Sequence, residues 1–311
     1  MSEGPGWFVR AIETPRRDRH VDVDGCPIHY LQWGDADRPG IVFVHGGAAH
    51  AHWWTFIAPL FLPEYQVVAL DLSGHGDSGR RAEYPRELWA DEVLAVADDA
   101  GFSDPPIVIG HSMGGFVCIA AAAAYGDRLA GAVILDSPVT RPDPEAEEGA
   151  RGQSFRNPKV YPDEATALGH YRLVPSQPCE NRFLLDHVGR HSLHEVEGGW
   201  TWKFDPMVFL RATPRAAREI LPEVRCRIAL FRAAHGLVTP DIGSYMYELL
   251  NRNAPVVEVP EAHHHLMLDQ PLALVTGLRT LLADWEHSIP AQRRSANQWR
   301  HGTRSGRREN Q

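Results

Sequence analysis

The chain has 311 residues, 43% of them hydrophobic and 23% charged, a balance that fits a soluble globular protein of one domain with an insertion. A formal net charge of −9 leaves no broad basic face to neutralise phosphates, which argues against a nucleic-acid partner. No basic start with an apolar run behind it opens the sequence, and no apolar stretch reaches the about 18 residues that span a bilayer, so a cytoplasmic protein without a membrane partner is expected. The four cysteines (Cys26, Cys118, Cys179, Cys226) are far apart and form no CxxC pair, so reduced buried thiols are expected rather than a zinc site or a disulfide framework.

In chain order, short Val/Ile-rich runs alternate with helical patterns. PIHYLQWG (27–34) reads as a strand. IVFVHGG (41–47) and VVALDLSGHG (67–76) are nearly continuous apolar runs, as expected of strands buried on both faces. Arg86 to Asp99 reads as a helix with Leu88, Val93, Leu94 and Ala97 on one side. IVIGHS (107–112) is a strand, GGFVCIAAAAAYG (114–126) a helix, and GAVILDSP (131–138) a strand. RIALFRAAH (227–235) is another strand, followed by a helix from Pro240 to Leu250, the strand and loop VVEVPEAHH (256–264), and a closing helix from Leu272 to Trp285. This alternation implies an α/β fold, a mostly parallel central sheet flanked by helices. The expected organisation is an N-terminal extension over 1–19, a core over 20–138 and 223–286, an inserted helical lid over 139–222, and a disordered tail over 287–311. That tail has six arginines against one glutamate and almost no apolar residues.

The stretch VIGHSMGGF (108–116) carries the chemistry. Ser112 falls on the turn from a strand into a helix, which lifts its hydroxyl clear of the backbone and aims the positive helix end at the reacting centre. Such a turn is crowded, and Gly110 and Gly114, two before and two after, supply the small residues it needs. Ser112 therefore reads as a nucleophile. A serine hydroxyl is weak at neutral pH and needs a base, for which seventeen histidines are available.

FVHGG (43–47), DLSGHGDS (71–78), GHSMGG (110–115) and PEAHHHLMLDQP (260–271) occur in the order seen in the α/β-hydrolase superfamily, which the chain resembles over about residues 20 to 285. The resemblance implies a lid-bearing serine hydrolase without a cofactor or metal. It places the catalytic histidine at His264, with His263 and His265 as alternatives. It places the oxyanion hole at the backbone N–H groups of Gly47 and Met113, with His45 supporting that loop.

The third member of the triad is displaced. Many relatives carry an aspartate four residues before the proline that follows the second-last strand. Here AAHGLVTP (233–240) puts Gly236 in that place. Asp136, at the end of the strand after the nucleophile's helix, is the replacement that some relatives use. Asp241, a water, or no acid at all are the alternatives. A three-histidine run at 263–265 also raises a metal, but consecutive residues on an extended loop diverge and no other ligand pattern accompanies them.

Between 139 and 222 the segment GGWTWKFDPMVF (198–209) is dense in aromatics. Trp200, Trp202 and Phe204 are expected to line an apolar substrate pocket. A serine in place of an aspartate nucleophile favours acyl chemistry over haloalkane or epoxide opening. The expected activity is hydrolysis of an ester or lactone of a moderately apolar small molecule. Carbon–carbon hydrolysis of a diketone ring-cleavage product is the enzymatic alternative, and a ligand-binding protein on a decayed hydrolase scaffold the non-enzymatic one. The oligomeric state stays open, with a homodimer as one option.

Overall fold

IVFV, VVAL, IVIG and AVIL lie in strands in which every residue is buried, which is what a parallel sheet covered on both faces demands. The computed structural model describes residues 4–142, 158–209 and 215–287. The chain divides into two compact units, Met1–Pro271 and Leu272–Gln311.

The first unit opens with helix α1 (Gly6–Glu13), followed by strands β1 (Arg17–Val23), β2 (Cys26–Trp33) and β3 (Gly40–Val44). A 3-10 turn (Ala51–Trp54) leads to β4 (Gln66–Leu70), then α2 (Arg86–Ala100), β5 (Ile107–His111), α3 (Met113–Tyr125) and β6 (Gly131–Leu135). Between β6 and the next sheet strand come α4 (Glu164–Gly169), α5 (Arg182–His191), a hairpin of β7 (Leu193–Val196) with β8 (Gly199–Trp202), and α6 (Ala217–Ile220). The unit closes with β9 (Arg227–His235), α7 (Pro240–Leu249), β10 (Val256–His263) and α8 (Leu266–Asp269). Of the second unit the described part belongs to helix α9 (Pro271–His287), where Leu274, Leu278, Leu281, Leu282 and Trp285 are buried. The basic tail expected beyond it lies outside the described residues.

The sheet runs β1-β2-β4-β3-β5-β6-β9-β10. The β1/β2 and β2/β4 pairs are antiparallel, and all pairs from β4 to β10 are parallel. The mostly parallel α/β sheet expected from the alternation is the one observed. The sheet starts at Arg17, ahead of the expected boundary at residue 20, because RDRHVDV pairs along its whole length with β2. A hairpin, and not only helical pieces, stands between β6 and β9. Open parallel sheets bind ligands beyond the carboxyl ends of their strands, and here the ends of β5, β6, β9 and β10 are consecutive neighbours.

Candidate active site

Ser112 joins β5 to α3 with φ 53° and ψ −118°, a conformation that costs an ordinary residue strain and is kept only where the surroundings enforce it. Those surroundings are the two flanking glycines. A Cβ on Gly110 would lie 2.2 Å from the Gly114 carbonyl oxygen, and one on Gly114 would lie 2.5 Å from the carbonyl oxygens of Val44 and His45. The turn closes only because neither has a side chain. Ser112 occupies the N-cap position of α3, yet its side chain makes no capping bond. Its Oγ is 3.0 Å from His264 Nε2 instead.

The other ring nitrogen of His264, Nδ1, is 2.7 Å from Asp136 Oδ2. Ser112, His264 and Asp136, the residues that directly follow β5, β10 and β6, thus form one hydrogen-bonded chain. His264 is 3% exposed and Asp136 fully buried, so the pair is shielded from bulk water. Burial alone would push the Asp136 carboxyl up. The bonds from His264 and from the N–H groups of Leu237 (2.8 Å) and Ala233 (3.2 Å) outweigh it and hold the group below its ordinary value. A carboxylate ionised in this way fixes the tautomer with Nδ1–H toward Asp136 and the Nε2 lone pair toward Ser112.

Of the alternatives, His265 lines the cavity at Ser112 without a hydrogen bond to it, and the others are held apart from it. His263 meets Asp269 through both its backbone N–H (2.8 Å) and its ring (3.1 Å). The backbone N–H of His265 donates to Gln177 Oε1, and Gln177 in turn donates to Asp269. Asp241 is exposed in the first turn of α7, whose N-cap is Thr239. Gly47 lines the same cavity as Ser112, and Met113 is the first residue of α3, where a backbone N–H has no partner within the helix. His45 bridges the loop that carries Gly47. Its Nδ1–H donates to the Gly46 carbonyl (2.7 Å), and its Nε2 accepts from the Leu72 N–H (3.0 Å).

His111 is a residue that the motif reading passed over as the free position of GxSxG. Its Nε2–H donates to the backbone carbonyl of His264 at 2.8 Å, tying the histidine loop to the residue before Ser112. Burial, with His264 beside it, pushes its pKa down to about 3, so it stays neutral.

A cavity of about 290 Å³ opens at Ser112. Trp202 and Phe204 line it together with Trp53, Tyr161, Tyr171 and Leu173. Trp200, expected beside them, does not. Its main chain exchanges both hydrogen bonds with Tyr161 (2.7 and 2.8 Å), and it is Tyr161 that reaches the cavity.

The model of the Alpha/beta hydrolase family matches residues 41–277. Lipase LipV of Mycobacterium tuberculosis is 34% identical over 211 residues, covering 66% of this chain and 78% of its own. Esterase Rv0045c of the same organism is 27% identical over 274 residues, covering 84% of this chain and 88% of its own. Among solved structures, E-2-(acetamidomethylene)succinate hydrolase superposes with a TM-score of 0.72 at 20% identity, over 86% of this chain and 100% of that one. At that identity the likeness is one of fold. The match over most of the sheet, the strained serine turn and the sheet order together show that the chain belongs to the alpha/beta hydrolase family.

Proposed function

We propose that this serine hydrolase cleaves the ester or lactone bond of a small, moderately apolar molecule through Ser112, His264 and Asp136. The observation that carries the reading is the unbroken chain of hydrogen bonds, 3.0 Å from His264 to Ser112 and 2.7 Å from His264 to Asp136. Ser112 Oγ attacks the acyl carbon as its proton passes to His264 Nε2. The N–H groups of Gly47 and Met113 hold the oxyanion, and Asp136 stabilises the imidazolium. His264 then protonates the leaving alkoxide, and a water deprotonated by the same nitrogen releases the acyl group. Cofactor and metal have no step in this sequence.

The size and lining of the cavity support a small acyl group with an apolar body. Residues 158–209 supply Tyr161, Tyr171, Leu173, Trp202 and Phe204 to its wall, which is the part a lid would play. An esterase and a lipase among the relatives support the ester bond. No helix of the described residues is long and apolar enough to cross a membrane, which fits a substrate met in water.

The test is covalent labelling by a fluorophosphonate read by intact mass, followed by turnover of p-nitrophenyl esters, a γ-lactone and a vinylogous 1,5-diketone acid. A single adduct that Ser112→Ala abolishes, with ester or lactone turnover, is the expected result. Preference for the diketone by tenfold or more would move the assignment to carbon–carbon hydrolysis. Absence of both labelling and turnover would overturn it in favour of a binding protein.

A further inference from the structure

Among the described residues, three groups of His, Asp or Glu bring one ligand atom each to within 4.8 Å of one another. Two are already committed. His111, His264 and His265 surround the nucleophile, and both nitrogens of His264 are engaged. In the second, His29 is bound to Asp71 (2.7 Å) and Asp18 (3.1 Å), while Asp77 pairs with Lys203 (2.6 Å). The third group is His52, His187 and His191. No step of the hydrolysis uses it.

We propose that His52, His187 and His191 form a binding site for a divalent transition-metal ion of the imidazole-seeking class, Zn²⁺, Ni²⁺ or Co²⁺, which fastens α5 to the turn that follows the Gly46–Gly47 loop. His187 and His191 stand four residues apart on α5, hence on one face of the helix and one turn from each other. His52 faces them from the 3-10 turn Ala51–Trp54, its ring stacked on His191 with centroids 3.9 Å apart. The His187 and His191 rings lie 4.5 Å apart.

The hydrogen bonds around these rings are of the kind that orients metal ligands. The Thr55 hydroxyl donates to the His52 carbonyl (2.9 Å), so it accepts from His187 Nε2–H (2.7 Å). That leaves a lone pair on His187 Nδ1. His191 Nδ1–H donates to the His187 carbonyl (2.8 Å), leaving a lone pair on His191 Nε2. His52 Nδ1 is buried without a hydrogen-bond partner. The charges that act on the cluster are Arg16 and Lys203 against Asp71, Asp77 and Asp186; the carboxylate acts more strongly at His52, the cations at His187 and His191.

Nitrogens bound at about 2.0–2.1 Å around a tetrahedral ion lie roughly 3.3–3.5 Å apart. The three rings therefore close on the ion, and His52 turns out of its stack to point its lone pair inward. Water completes the fourth position. The consequence is mechanical: α5 and the segment leading from Gly47 become cross-linked.

The experiment is a titration of the untagged full-length chain with Co²⁺, followed by visible d–d absorption, and with Zn²⁺, followed by thermal unfolding. His52→Gln, His187→Gln and His191→Gln are compared with wild type and with His264→Gln. The expected result is one equivalent bound with tetrahedral absorption and a raised Tm. Affinity falls at least tenfold in each cluster variant and is kept in His264→Gln. Fluorophosphonate labelling of the metal-free cluster variants shows that they are folded. Wild-type affinity in the folded cluster variants, or loss of binding in His264→Gln alone, would overturn the proposal, as would no binding to wild type at 100 µM metal, on the order expected of a stray surface histidine.

Discussion

The carboxylate of Asp136 fills the space that a side chain would need at Gly236: a Cβ built there lies 2.4 Å from both Oδ1 and Oδ2. β6 and β9 are hydrogen-bonded neighbours, with Leu135 opposite Phe231, so the ends of the two strands open onto one imidazole edge. An acid on one end excludes any side chain on the other.

The exclusion predicts an exchange. Gly236→Asp alone should push Asp136 off His264 and lower kcat/KM for an ester by up to about 10⁴-fold, the loss seen when a triad acid is removed. Combining it with Asp136→Gly should recover at least tenfold over Asp136→Gly alone, read by steady-state hydrolysis. A double variant no better than the single one would show that only the β6 end can serve the histidine.

His111 is expected to act through His264, whose carbonyl it holds. His111→Phe removes the donor to the His264 carbonyl, a bond worth about 1–1.5 kcal/mol. It should lower kcat about tenfold with little change in KM, while His111→Gln, which keeps a donor, should retain most of the rate. Equal losses in both variants would point to packing instead.

Gly114→Ala sets a Cβ against two backbone carbonyls that cannot rotate away. The expected cost is at the upper end of the about 1–3 kcal/mol for overpacking, with labelling of Ser112 slowed in parallel because the turn that raises its hydroxyl opens. Chemical denaturation and labelling rate measured on one preparation check both effects.

Acid should unfold the protein through its histidines. Burial holds His50, His75 and His111 at about 3 in the folded chain, while an unfolded histidine titrates near 6.5. Between those values the unfolded chain binds more protons. Stability is therefore complete above pH 6.5, falls as pH drops below it, and levels near pH 3. Each group contributes a slope of about 1.4 kcal/mol per pH unit, roughly 4 for the three together. Urea unfolding from pH 7.5 to 4.5 measures the slope, and a flat profile over pH 6.5–5 would contradict it.

The parallel strands were legible because runs such as IVFV and AVIL have no polar alternation, which only two-sided burial explains. β1 was not, because RDRHVDV is charged on its exposed side. The signal that could have found it is the Asp24–Gly25 pair, both at positive φ, the turn chemistry of a tight hairpin. The serine turn was legible because two glycines mark it locally. The partner of His264 was harder to read, because the neighbourhood of β6 and β9 is a fact of sheet order, and residues 136 and 236 carry no mark of it in the chain. His111 was hidden because its partner is a backbone carbonyl 153 residues away.

The strand order β5-β6-β9-β10 has a consequence for folding. The partners of His264 lie 128 and 152 residues before it, so the bonds that unite them close only when the last strand docks on β9. Contacts of such sequence separation form late, after a long loop has been closed. Before that docking no imidazole stands beside the serine turn. Reactivity of Ser112 toward an electrophile is therefore expected to switch on in a single event, the docking of β10 on β9, and to report completion of the sheet more sharply than helix content can.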